Sequence, residues 1–298
     1  MNEKVVLALV AAGVLLSGGF ACLGSAAFLF AVSREKSAPA AGGQPGPAPT
    51  AKRAAGHFRG SVLGPDGGPI RAPGAVVTVS VAAVTGRGES VSFSPPVAAD
   101  GTFDMKLIPG IYHAPYADMQ LPVAGGKSYR IRLHPIPYDM KDTPSEQGLV
   151  RDFQWRLTGH IPGRDPDPSD HTRWYGGSVK MLFQTYREDT GKSVKQPPAG
   201  TKATFTLVPK GPLLDGSAAK TLTFERAYGW SGLDQGNLQD IPVADYTLTG
   251  FETLPDGTRR PLLIQKAYKE FVEAREISFA PDEHGGAWPP LVGFVPQE

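Results

Sequence analysis

The sequence predicts an all-β protein, two tandem β-sandwiches behind a single N-terminal transmembrane helix. Three observations carry the prediction. Gly 36 and Pro 29 together make 65 of the 298 residues, about 22% where average usage is about 12%, so the chain turns often. From His57 onward apolar residues recur in short alternating runs cut by Gly, Pro and Asp, the period-2 mark of half-buried strands. Ahead of this, Val5 to Val32 holds no charged residue over 28 positions.

That uncharged segment exceeds the ~20 apolar residues a spanning helix needs. It shows no polar face at any helical period, which argues against a buried soluble helix. A secretory signal has an apolar core of about 7–15 residues followed by small residues. Here Ala21 and Ala26-Ala27 supply small residues, but Phe28-Leu29-Phe30 continues the run. Cys22 invites a lipoprotein reading. Bacterial lipoproteins carry a Leu-small-small-Cys box, whereas this chain has Gly19 three places before Cys22, then Phe20. The expectation is therefore an uncleaved signal-anchor over residues 1–32, in contact with the membrane through 5–32. Lys4 on one side against Arg34, Lys36, Lys52 and Arg53 on the other weakly favours a cytoplasmic body, by a rule that weakens for long translocated domains.

Residues 33–56 form an Ala/Pro/Gly-rich flexible linker, with seven Ala, four Pro and four Gly in 24 positions. Such a composition buries too little apolar area to offset chain ordering. Its reach as a coil is about 27 Å.

The first sandwich is expected over 57–145. Phe58–Leu63 reads as a strand closed by the turn signal Gly64-Pro65-Asp66-Gly67-Gly68-Pro69. Val76–Val81 and Ser128–Leu133 alternate as strands do, and Asp100-Gly101 reads as a hairpin turn into Thr102–Met105. Ile111-Tyr112 follows the turn Pro109-Gly110.

The second sandwich, with longer loops, is expected over 146–298, because the first half recurs there. Gly60-Ser61-Val62 returns as Gly177-Ser178-Val179, Val76–Val81 as Ala203–Val208, and Ile108–Tyr112 as Ile241–Tyr246. The offsets grow from 117 to about 127 and then 133 or 134, as expected if the second copy has longer connections. Asp152–Leu157 reads as an extra strand ahead of this copy. Residues 262–279 fit strand, turn, strand better than a helix, ending at Ile277-Ser278-Phe279. The Gly/Pro-rich tail 284–298 is expected to pack as irregular chain.

At Gly60-x-Val62, Gly68-Pro69-Ile70, Ala75-Val76-Val77-x-Val79, Asp100-Gly101-x-Phe103 and Ile108-Pro109-Gly110-x-Tyr112, the chain resembles the carboxypeptidase regulatory-like domains. The resemblance covers 57–134 well and 177–265 loosely. It implies a transthyretin-like β-sandwich, a frequent extracytoplasmic setting and no catalytic residue. On that ground the body is expected on the exported face of a single-pass membrane protein.

Reactive constellations are sparse. Thirty Lys+Arg against 29 Asp+Glu give a net charge of +1, which excludes nucleic-acid binding through a basic field. A single cysteine excludes a disulfide framework. None of His57, His113, His134, His160, His171 and His284 has Glu three places on, as a zinc peptidase would. Asp165–Asp170 starts like a calcium loop, but its prolines stiffen it and no Gly or distal Glu follows at the right spacing. Gly191-Lys192-Ser193 lacks the first glycine of a phosphate loop, Tyr186 standing in its place, and reads as a hairpin turn. Ser217-x-x-Lys220 lacks the companion elements of acyl-transfer enzymes. The remaining candidates are aromatic: Trp174, Tyr175 and Trp230 sit among glycines, as ligand platforms do, with Trp288 beside two prolines. The expected function is a non-catalytic membrane-anchored scaffold or binding module of the cell envelope, with a protein or polysaccharide partner and no cofactor, metal or nucleic acid. The alternatives are a carbohydrate-binding module that uses Trp174, Tyr175 or Trp230, and an envelope enzyme.

Overall fold

A computed structural model describes residues 51–139, 141–164, 170–229, 232–233, 236–281, 287–288 and 290–297. The expected span 5–32 and most of the linker lie outside the described residues, as do Trp230, His284 and 165–169 of the acidic run. Among the described residues the regular structure is all β apart from three short 3-10 turns, and no helix is long and apolar enough to cross a membrane.

Eleven strands form the N-terminal half: β1 (His57–Leu63), β2 (Val76–Thr85), β3 (Ser90–Phe93), β4 (Thr102–Lys106), β5 (Gly110–Tyr112), β6 (Tyr116–Pro122), β7 (Ser128–Arg132), β8 (His134–Ile136), β9 (Thr143–Pro144), β10 (Leu149–Val150) and β11 (Asp152–Gln154). One sheet runs β10-β1-β11-β8 with β4 also on β1; the other runs β7-β6-β2-β5-β9 with β3 on β2. They face each other as a sandwich. The period-2 alternation drives this arrangement: β1 buries Phe58, Gly60 and Val62, and β6 buries Ala117, Met119 and Leu121. The inward side chains of Phe58, Val62, Ala117, Met119 and Leu121 form one apolar cluster with Phe103, Tyr112 and Trp155.

The C-terminal half contains β12 (Gly177–Phe183), β13 (Tyr186–Arg187), β14 (Lys192–Ser193), β15 (Lys202–Pro209), β16 (Leu222–Gly229), β17 (Gly232–Leu233), β18 (Asn237–Ile241), β19 (Tyr246–Thr253), β20 (Arg259–Ala267), β21 (Glu270–Val272), β22 (Ala274–Ile277), β23 (Ala280–Pro281), β24 (Ala287–Trp288) and β25 (Leu291–Pro296). Its main path is β17-β16-β15-β19-β20-β25-β12-β18. β17 comes back against β12, so the sheet curls around a second cluster that includes Phe205, Leu207, Tyr246, Leu248, Val292 and Phe294.

Two expectations are corrected. Residues 149–155, read as the opening of the second sandwich, belong to the first. β10 and β11 pair in parallel with β1, Phe58 opposite Leu149 and Val62 opposite Phe153, and Phe153 and Trp155 join the first core. Gly60 makes this pairing sterically feasible, since a Cβ there would lie 1.8 Å from the Arg151 carbonyl oxygen. The tail is not irregular either. Residues 291–296 form β25, antiparallel to β20 and parallel to β12. Burying Val292, Phe294 and Val295 outweighs the turn propensity of the flanking prolines. The linker also ends early: Gly56 N donates to the Ser145 carbonyl, and Leu107 N to that of Gly56.

The internal recurrence has a physical counterpart in two tyrosines. Tyr112 Oη donates to the Ile108 carbonyl at 3.1 Å, and Tyr246 Oη donates to the Pro242 carbonyl at 2.7 Å, each four residues back. Each hydroxyl pins the turn that leads into its strand. Tyr112→Phe and Tyr246→Phe are each expected to lower stability by about 1–2 kcal/mol, the cost of leaving a semi-buried backbone group without its partner. Chemical denaturation of each variant reads this directly, and an unchanged midpoint would remove the pinning role.

Candidate functional site

The alternation of β6 and β7 turns Tyr116, Asp118, Arg130 and Arg132 to one side of the first sandwich, with Asp118 opposite Arg132 in the ladder. Arg130 pairs with Asp118 at 2.7 Å. After β11 the chain crosses this side as Trp155-Arg156-Leu157, then doubles back in a strap. Ile161 N donates to the Arg173 carbonyl, and Tyr175 N to that of Gly159. Asp240, in a left-handed conformation (φ 58°), ties the strap to the second half: its Oδ1 accepts from Gly159 N at 2.7 Å and Gly176 N at 3.3 Å. Tyr129 Oη makes a second tie, donating to the Phe279 carbonyl at 2.7 Å.

Between strap and sheet lies a cleft of about 560 Å³, lined also by Leu214 and Val243 of the second half. Among the described residues, Arg130, Arg132, Arg156 and Arg164 line it, with Asp118 as the one carboxylate-bearing residue. Arg164 also donates to the Thr172 carbonyl. Arg156 is half-buried, and its guanidinium carbon lies 6.0 Å from the centre of the Tyr175 ring. Burial pulls the Arg156 guanidinium below its ordinary range. Behind the cleft wall, His134 Nδ1 lies 2.8 Å from Tyr175 Oη, and the His134 ring stacks at 6.5 Å on Tyr138. Trp174 packs edge-on against His160 at 5.2 Å, and its Nε1 is buried without an acceptor among the described residues.

Burial, helped by the Arg156 charge, lowers the His134 pKa to about 4. Burial also pushes the Tyr175 hydroxyl up to about 12, although Arg156 and Arg132 pull it the other way. Both groups are therefore neutral at pH 7. The cleft offers fixed positive charge, hydrogen-bond donors and aromatic edges, and at pH 7 the His134 imidazole is a weak base and the Tyr175 phenol a weak acid.

The His134 shift has a consequence for stability. The unfolded chain binds the imidazole proton near pH 6.5, whereas the folded chain does so only near pH 4. The stability it contributes is thus complete above about pH 6.5 and is lost as pH falls toward 4. The full difference is roughly 3 kcal/mol. The expected result is that the stability lead of the native chain over His134→Gln shrinks across that window. A pH-independent difference would contradict it.

Of the sequence candidates, Trp174 and Tyr175 are brought together, half-buried in the cleft wall rather than displayed on an open face. Trp230 lies outside the described residues. Sequence reading missed the arginines and His134. The available signal was Arg130-x-Arg132 on a strand edge, followed by Arg156 and Arg164 in a chain of near-zero net charge. Elsewhere, His57 and His113 pair with Asp104 and Asp142, each at 2.7 Å. Asp170 accepts from Thr172 N and pairs with Arg173. Lys192-Ser193 pairs with Tyr186-Arg187 in a small hairpin, and Ser217 closes the turn begun by Asp215.

No family model matches the chain, and no curated protein matches it. Among solved structures it is similar to BcpA, the major pilin subunit of Bacillus cereus, at 10% identity over 83% of this chain and 71% of that one, with a TM-score of 0.23. It is also similar to a tetra-tandem repeat in the extending region of a large adhesion protein, at 9% identity over 82% and 74%, with a TM-score of 0.15. Likeness this loose carries no argument about function.

Proposed function

We propose that this chain is a non-catalytic binding module of the cell envelope. Residues 5–32 anchor it in the membrane, the linker suspends it, and two tandem transthyretin-like sandwiches form an extracytoplasmic body. The cleft beside β6 and β7 seats its ligand. One observation supports this above the others: a 560 Å³ recess built jointly by both halves of the body and lined by guanidinium groups and aromatic rings. Its size lies within the range of small-molecule sites, about 300–1,000 Å³. A His134 imidazole held near pKa 4 is a poor base and a Tyr175 phenol near 12 a poor acid at pH 7, which favours binding over proton-transfer chemistry. A second reading, a carbohydrate-binding module, is favoured by Trp174 and Tyr175 in the wall of the same cleft, since rings beside donors suit sugars.

Thermal stabilisation of the detergent-solubilised full chain by a panel of neutral and acidic saccharides and small carboxylates tests the binding reading. The expected result is a rise in melting temperature with some member of the panel, abolished by Trp174→Ala. A panel without effect on the native chain would overturn it. Protease accessibility in intact cells tests the topology, and a fully protected body would place it on the cytoplasmic side.

A further inference from the structure

We propose that the cleft recognises a small molecule bearing an oxyanion, a carboxylate or a phosphate, with Arg132 and Arg156 clamping the charge and Trp174 Nε1 donating to a neighbouring oxygen. The inference rests on the binding reading above and adds the chemical class of the ligand.

Three observations point to it. The first is charge imbalance. Of the four lining guanidinium groups only that of Arg130 is paired with the lining carboxylate, Asp118. Arg132 and Arg156 form no salt bridge with any carboxylate among the described residues. The second is desolvation. Arg156 is half-buried beside the Tyr175 ring and has neutral His134 rather than an anion behind it. A desolvated cation without a countercharge is costly, and an incoming anion relieves that cost. The third is the indole N–H of Trp174, a residue of the same wall, buried with no acceptor among the described residues. An indole nitrogen only donates, so its partner must be an acceptor such as an oxyanion or a hydroxyl. Planar guanidinium forks suit carboxylate and phosphate geometry.

The groove at Arg59, Ser61 and Thr102 is open, and its Asp104 already pairs with Arg59 and His57. Exposed Tyr186 and Tyr268 lie in two hairpins.

The test is calorimetric titration of the detergent-solubilised full chain with three probes of one ring size: glucose, glucuronate and glucose 6-phosphate. At least one anionic probe is expected to bind about tenfold or more tightly than glucose, a difference of about 1.4 kcal/mol. That preference should fall as salt rises from about 0.05 to 0.5 M. Which anion binds better assigns carboxylate or phosphate. Arg132→Gln, on an exposed strand edge, and Arg156→Gln should each remove the preference while the melting temperature reports an intact fold. Arg156→Lys should restore it in part, since it keeps charge and loses the fork. Equal binding of glucose, or a preference that survives both arginine substitutions, would overturn the anion assignment and leave the binding reading standing. No binding of any probe would also overturn the anion assignment, and the wider panel then decides whether the binding reading falls with it.

Discussion

Trp155→Ala is expected to destabilise the protein by about 3–5 kcal/mol, the cost of removing a large buried aromatic from a core that relaxes only in part. Trp155 is 2% exposed and is among the largest fully buried side chains. It follows β11 directly, and its backbone N–H donates to the Leu63 carbonyl at 2.8 Å, so it extends the parallel pairing with β1. Its ring joins the cluster of Phe58, Phe103 and Phe153 while bordering the cleft. Loss of the ring should therefore weaken the first sandwich and, with it, the binding proposed for the cleft. Urea denaturation measures the first effect and titration the second. A loss below about 1 kcal/mol, the range of a surface change, would mean that this segment does not belong to the first core.

The second large effect is expected at Arg260. Glu252 is fully buried in the C-terminal sheet, directly across the ladder from Arg260. Arg260 Nε lies 2.8 Å from Glu252 Oε1, and Tyr228 Oη donates to Oε2 at 3.1 Å. Its own burial, and then that carboxylate, push the tyrosine hydroxyl strongly upward. Arg260→Leu strips the buried carboxylate of its countercharge and is expected to cost about 3–5 kcal/mol. Replacing both partners, Glu252→Leu with Arg260→Leu, should recover most of that loss, because paired removal leaves no isolated charge. A double variant no more stable than Arg260→Leu alone would show that lost packing, not the uncompensated charge, sets the cost.

Local pattern accounts for much of the agreement between sequence and structure. The Asp-Gly turns at 66–68, 100–102, 215–217 and 256–258 each close the same way, with the aspartate Oδ1 accepting the backbone N–H two residues on. Such turns are legible because every group in them lies within three residues. Residues 259–277 are extended and not helical, as expected, but form three strands, β20, β21 and β22, rather than two. The misread segments failed for a different reason. Leu291–Pro296 is a continuous apolar run with a glycine between prolines, and alternation is absent from a strand buried on both faces.

The amino-acid order by itself determined the all-β character, the turn positions, the buried face of β1 and the paired tyrosines, because these depend on neighbours one to four residues apart. Only the tertiary structure decided that 149–155 completes the first sandwich, that the tail enters the middle of the second sheet, and that a cleft exists. The physical reason is range. The pairing of β1 with β11 joins residues 91 apart, and the cleft gathers side chains from Tyr116 to Val243. No local periodicity encodes such contacts; they follow from which assembly of strands buries the most apolar surface while leaving its polar groups paired.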